Sequence, residues 1–202
     1  MTLDADTIVG NAGGGIQMTA SDFALTNLLV RDNGTMTGNA GTDSTFGGIF
    51  VASVGSGQTT MANLTVVNNK SKSGLTTSGI NCTVPPTSII NSIIYGNVGG
   101  AYQAGPVDCA LSYCRLPDPM TATPQPAGTN TYLNTTTCTM ANLFVDPTGA
   151  FPAGNFLPKK GGTAPCTLVD VGTNTGAPKL DIVGTSRPQN NICDVGAYES
   201  LP

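Results

Sequence analysis

Histidine and tryptophan do not occur in this chain, and only 10% of its 202 residues are charged. Without histidine the commonest general base is gone, and a zinc site would have to be built from cysteines and carboxylates alone. No CxxC pair or other ligand spacing supports such a site. No apolar run approaches the roughly 20 residues a membrane-spanning helix needs. No window shows an apolar period of about 3.6 residues between caps, so no major helix is expected. Eight basic residues against twelve acidic ones, a net charge of −4, cannot form a phosphate-tracking stripe. Nucleic acid and anionic membrane surfaces are therefore excluded as expected partners. The opening residues, MTLDADTIVGN, carry neither the basic nor the apolar stretch of a signal peptide.

What is abundant is Gly, Thr, Asn and Ser, a composition suited to short strands and turns. A nine-residue phrase occurs three times: LTNLLVRDN (25–33), MANLTVVNN (61–69) and IINSIIYGN (89–97). A second phrase accompanies each copy: GGIQM (14–18), GGIFV (47–51) and SGINC (78–82). Recurrence every 28 to 36 residues, with short strands and turns between, specifies a solenoid of stacked coils. Period-two alternation puts Leu28/Val30, Leu64/Val66 and Ser92/Ile94 on one strand face, and Leu29, Thr65 and Ile93 on the other. Ile16/Met18, Ile49/Val51 and Ile80/Cys82 form a second inward set. Like residues would then stack at about 4.8 Å, the spacing between strands. The expected class is all-β, a right-handed parallel β-helix with an irregular C-terminal capping tail.

Each phrase carries Asn, five residues, then Asn: Asn27/Asn33, Asn63/Asn69 and Asn91/Asn97. Asn tolerates left-handed backbone and bonds its own neighbours, so it suits corners. Stacked coil on coil, its amides form a ladder along the axis. Ile8-Val9-Gly10-Asn11 aligns with Ile94-Tyr95-Gly96-Asn97, so the chain opens inside a repeat. It reads as the C-terminal part of a longer protein, with Met1 an addition and upstream coils as its neighbours. The alternative is a chain whose first coil a partner completes.

Three segments are expected: coils over 1–116, a Pro/Thr-rich loop over 117–141, and a tail over 142–202 packed on the same solenoid. Six cysteines, Cys82, Cys109, Cys114, Cys138, Cys166 and Cys193, suggest disulfides in an exported protein. The favoured pairs are Cys166–Cys193 in the tail and Cys114–Cys138 around the loop, though composition leaves the connectivity open.

The tail carries four ordered motifs: LFVDP (143–147), LVDVG (168–172), DIVGTSRP (181–188) and DVGAYE (194–199). Together they resemble the closing signature of bacterial right-handed parallel β-helix proteins of the choice-of-anchor Q type. The resemblance covers 144–199 by motif, and the upstream repeats agree with it. It implies a pectate-lyase-like solenoid, export, and attachment of the parent protein to the cell envelope by a C-terminal anchor. This chain ends three residues past the Glu of DVGAYE, so the anchor is expected to be trimmed or the member released. The family carries no common activity.

Catalysis finds little support. A glycoside hydrolase needs two carboxyls flanking the scissile bond. The repeats offer Asp22, Asp32, Asp43 and Asp108, with no Asp-Asp pair and no acidic neighbour at an aligned position. A lyase needs Asp clusters for calcium and an Arg or Lys base. Arg31-Asp32 is the one suggestive pair, and a surface ion pair accounts for it. No G-x-S-x-G elbow is present. Asp181, Arg187, Asp194 and Glu199 form the densest charged group. The functional reading is a calcium or ligand site; the structural one is an Arg–carboxylate network pinning the tail over the last coil.

The expected role is a non-catalytic structural or adhesive module, with a polysaccharide or cell-surface glycan as partner and no cofactor. Tyr95 and Tyr102 are its outward aromatic candidates, with Arg31 and Asp32 as polar ones. The competing role is a fragment of a polysaccharide lyase or glycoside hydrolase. Ice binding would need threonine at one register in every coil, and Thr65 aligned with Leu29 and Ile93 does not supply it.

Overall fold

The alternation of apolar and small polar residues resolves into short parallel strands. The computed structural model describes residues 1–34, 46–71, 77–83, 87–99, 102–104, 109–118, 129–149 and 154–202. Strands come in triplets along the chain. The first is β1 (Thr2–Asp4), β2 (Thr7–Val9) and β3 (Ile16–Met18). The second is β4 (Ser21–Thr26), β5 (Leu29–Arg31) and β6 (Ile49–Val51). The third is β7 (Val54–Ala62), β8 (Thr65–Val67) and β9 (Thr77–Cys82). The fourth is β10 (Thr87–Ile90), β11 (Ile93–Tyr95) and β12 (Tyr102–Ala104). Then come β13 (Cys109–Ser112), β14 (Arg115–Asp118), β15 (Thr131–Asn134), a single helical turn α1 (Met140–Leu143), β16 (Phe144–Asp146) and β17 (Asn155–Pro158).

Members of each triplet go to different sheets. One sheet has the order β1-β4-β7-β10-β13, a second β2-β5-β8-β11-β14-β15, and a third β3-β6-β9-β12. All pairings within these three are parallel, and the protein is all-β. Among the described residues β16 and β17 form an antiparallel pair, and Leu180 and Ser186 an isolated antiparallel bridge. Among the described residues no helix is long and apolar enough to cross a membrane.

The register stacks like on like. In the second sheet Ile8, Val30, Val66 and Ile94 form one column. In the third, Ile16, Ile49 and Ile80 are in register, as are Met18, Val51 and Cys82. With Leu25, Met61, Ile89 and Leu111 of the first sheet they make one inner cluster. Side chains such as Leu25, Val30, Val66 and Ile80 have no solvent exposure. Each such aliphatic chain contributes about 1.5–3 kcal/mol by leaving water.

Strands β5, β8 and β11 of the second sheet are buried on both faces. Their outward residues Leu29, Val67, Ile93 and Tyr95 join a separate cluster with Leu143, Phe144, Phe156, Leu168 and Val195 of the C-terminal part. The tail was expected to close the end of the stack; it lies along the flank instead. Its hydrogen bonds reach Asn27, Asn63, Asn91 and Arg115, residues of four successive rungs. The segment 117–141, expected as loop, holds β15, which extends the parallel ladder from β14. Residues 119–128 lie outside the described residues.

Candidate functional site

The two asparagines of each phrase occupy different corners. Asn33, Asn69 and Asn97 form a continuous buried ladder. Asn33 Nδ2 donates to Asn69 Oδ1 at 3.0 Å, and Asn69 Nδ2 to Asn97 Oδ1 at 2.9 Å. Asn11 supplies a further rung, donating from its side chain to Asn33 Oδ1 at 2.9 Å. Main-chain N–H groups of Asn33 and Asn69 donate to the same oxygens. The other three, Asn27, Asn63 and Asn91, sit in left-handed backbone with φ of 51°, 54° and 48°. Ala5 and Tyr113 adopt the same conformation at the equivalent turns, with no sequence signal to reveal it.

The second set of amides serves the tail. Asn27 Nδ2 donates to Leu180 O, Asn63 Nδ2 to the carbonyls of Asp194 and Gly196, and Asn91 Nδ2 to Thr173 O. Thr65, on the outward face of β8, accepts from Ala197 N at 2.9 Å. Here DVGAYE meets the sheet, and the glycine follows from the approach. A Cβ on Gly196 would stand 2.8 Å from Thr65 Oγ1, and its φ is +107°.

The carboxylates of the charged group in the tail are satisfied internally, while Arg187 Nε is buried with no hydrogen-bond partner. Arg187 Nη1 donates to Glu199 Oε2 at 2.8 Å, with both side chains buried, and Nη2 donates to Gly196 O. Asp181 Oδ1 accepts from Val183 N and Thr185 N, and its Oδ2 from Glu199 N. Asp194 accepts from Asp170 N and Ser200 N. Glu199 accepts from Gln189 N and Asp194 N as well. Every carboxylate oxygen of the three thus has a donor. Burial pushes the Asp194 and Glu199 carboxyls up and the Arg187 guanidinium down, opposed by these hydrogen bonds and by the pairing of the charges. Among the described residues no group of three or more Cys, Asp or Glu is placed to hold a metal.

Cysteine pairing departs from the favoured scheme. Cys82 bonds Cys109 and Cys138 bonds Cys166, while Cys114 and Cys193 are buried free thiols. Cys114 points into the inner cluster and Cys138 into the outer one, so the second sheet separates them. Cys114 Sγ lies 3.6 Å from Ile89 O, which accepts from it. Burial pushes its thiol up to about 12 and that of Cys193 up to about 11.

Of the four ligand candidates, Tyr95 faces outward from its sheet but not into solvent. It is 4% exposed beneath the tail, and its hydroxyl donates to Cys138 O at 2.6 Å. Tyr102 lies in β12 of another sheet, with its side chain outside the described residues. Arg31 is not a surface partner either. It is buried, donates to Gly149 O at 2.9 Å, and lies 5.0 Å over the Phe156 ring, fastening the tail. Arg115 acts likewise, donating to Thr131 Oγ1 and Thr167 O. Its burial was not legible from its sequence position.

Asp32 remains accessible, its side chain 40% exposed, with Oδ2 3.4 Å from Arg31 Nε. It belongs to a column of left-handed turns, Gly10, Asp32, Asn68 and Gly96. Between that column and residues 147–149 runs a groove of about 400 Å³, lined by Asp32, Asn68 and Thr148 among others. Asn68 was not singled out from sequence, although the alignment of Asp32 with an Asn and a Gly carried the signal. A carboxylate, an amide and a hydroxyl in one open groove can hydrogen-bond a polyhydroxylated ligand. Asp43 and Asp108 lie outside the described residues. No protein-family model matches this chain, and neither a curated protein nor a solved structure matches it.

Proposed function

We propose that this chain is a right-handed parallel β-helix module of an exported, cell-surface or secreted protein, with a non-catalytic adhesive role and a glycan as ligand. The recurrence of three parallel sheets in turn supports the solenoid reading, and crossovers between parallel strands are right-handed in nearly all proteins. Two disulfides support export, since such bonds persist in oxidising compartments. The choice-of-anchor Q resemblance adds the envelope as address.

The observation that carries the binding reading is the Asp32 groove. It brings one carboxylate, one side-chain amide and a hydroxyl to an open cleft on a rigid ladder. Sugar hydroxyls pair with such groups, whereas glycoside hydrolysis needs a second carboxyl across the bond. Affinity electrophoresis against a panel of soluble neutral polysaccharides tests it, with the same mixtures assayed for new reducing ends and unsaturated products. The expected result is retardation without products, abolished by Asp32→Gly with Asn68→Gly. Glycine suits both turns, because Gly10 and Gly96 already occupy that column. Product formation would overturn the non-catalytic reading in favour of a lyase or hydrolase.

A further inference from the structure

The positive charges of this chain are few, and its three arginines are spoken for. Arg31, Arg115 and Arg187 are buried in contacts that hold the tail. Lys159 and Lys160 are the only adjacent basic residues in the sequence. Both are exposed, and they line a polar pocket of about 270 Å³ together with Thr137, Gly161, Gly162 and Thr163. Among the described residues no carboxylate lines it.

The pocket wall is fixed on several sides. Lys159 Nζ donates to Ala141 O at 3.0 Å, which holds one ammonium at the rim. Gly161 has φ +75°, and a Cβ on Gly162 would stand 2.6 Å from Cys166 O, so the turn takes glycine at both positions. Cys166 N donates to Thr163 O at 2.8 Å, and the Cys138–Cys166 bond ties that wall to the segment bearing Thr137. Two ammonium groups and two hydroxyls around a small preformed cavity, in a chain of net charge −4, suit a compact oxyanion.

We propose that this pocket is an anion subsite which, on the glycan-binding reading above, takes the sulfate or carboxylate substituent of an acidic polysaccharide. The lysines supply the charge attraction and Thr163 orients the oxyanion, the Thr137 hydroxyl being donated to Asn134 O. The Asp32 groove is a different place, lined by none of the same residues.

Two measurements test this on the whole chain. In the first, inorganic sulfate is titrated against chloride at constant ionic strength while backbone amide resonances are followed. Shifts centred on Gly161, Gly162 and Thr163 are expected, and they vanish in Lys159→Gln/Lys160→Gln. In the second, retardation by dextran sulfate is compared with retardation by dextran. The double variant is expected to weaken dextran sulfate binding about tenfold. A control with the same charge change, Lys70→Gln/Lys179→Gln, is expected to alter it by less than about twofold. Sulfate shifts that are absent or centred elsewhere, or equal losses in the two double variants, overturn the subsite. Equal binding of both dextrans through the Asp32 groove overturns it too, while leaving the glycan reading intact. Sulfate shifts at the glycine turn with no polysaccharide retained support the anion site and sink the glycan reading.

Discussion

Two columns of asparagine, drawn from the same phrase, do different work. Asn33, Asn69 and Asn97 bond to one another with Asn11 as a further rung, so each amide is consumed within the repeat. Asn27, Asn63 and Asn91 share one weaker contact, Asn91 Nδ2 to Asn63 Oδ1 at 3.4 Å, and Asn27 Oδ1 is buried with no hydrogen-bond partner. Asn27 Nδ2 also donates to Asp4 Oδ1 at 3.0 Å, and the other amide hydrogens go to the tail. A residue type and a spacing are therefore not a function. The first column is a property of stacking, which any repeat can build from itself. The second is a docking strip, and it has meaning only because a tail distant in sequence returns to it, with separations of 153 for Asn27 and Leu180, 131 for Asn63 and Asp194, and 82 for Asn91 and Thr173.

The sharpest way to break the contrast is Asn69→Ala. It removes bonds to Val30 O and Asn97 Oδ1, and strands the main-chain and side-chain donors of Asn33. The expected loss is about 4 kcal/mol, since buried donors left unpaired cost more than the bonds contribute. Urea unfolding followed by circular dichroism measures it; a loss under about 1 kcal/mol would show that the ladder is ornamental. Next in size is the removal of the Cys138–Cys166 bond by paired alanines. It opens a loop with a sequence separation of 28 and is expected to destabilise by about 3 kcal/mol, read as a fall in the unfolding midpoint.

Asn63 gives a smaller and more local effect. Asn63→Ala loses the bonds to Asp194 O and Gly196 O and places a Cβ-bearing aliphatic residue at φ 54°. About 2 kcal/mol is expected, with amide exchange faster in 168–199 and unchanged in the inner strands. Asn63→Gly should recover about 1 kcal/mol of that, because the turn is left-handed. At Asn69, whose backbone is not left-handed, glycine should be no better than alanine. Equal behaviour of glycine at both positions would erase the distinction between the columns.

The smallest effect is in pH. The buried thiols of Cys114 and Cys193 are raised above their ordinary value of 9.0, to about 12 and about 11. A raised thiol pKa means that the fold favours the protonated form. Stability is then fully present below the ordinary thiol range and is lost as pH climbs through it towards those values. Asp194 and Glu199, also raised by burial, act in the same sense at lower pH, so mild acid should not loosen the tail. Unfolding midpoints at about pH 5, 7 and 10 are expected to stay level between the first two and fall at the third. A midpoint that drops on acidification would show that the tail carboxylates are held mainly by charge pairing.

Much of the ladder was legible in the residues. Val30, Val66 and Ile94 share a parity that period-two backbone makes unavoidable, and their column is the inner core. The alignment of Asp32 with Asn68 and Gly96 carried a signal for the left-handed turn, which the reading of Asp32 as half of an ion pair passed over. Tyr95 misled because strand parity marks it as outward, which it is, and says nothing of what covers that face. Arg31 misled for the same reason: an Arg-Asp neighbour pair looks like a solvated surface until Phe156 and Gly149 close over it. The cysteine pairs were beyond sequence, since Cys114 and Cys138 are separated by a sheet rather than by distance along the chain.

By itself the sequence determined the strand period, the inward columns and the paired asparagines, because these depend on local backbone geometry repeated at a fixed interval. Only the tertiary structure decided which face of the second sheet is covered, which asparagines meet the tail, which cysteines pair, and that Lys159, Lys160 and Thr137 share a pocket. Those outcomes depend on where a non-repeating segment docks. Docking is settled by the fit of apolar surface and the satisfaction of buried polar groups between residues more than a hundred positions apart, such as Thr65 and Ala197.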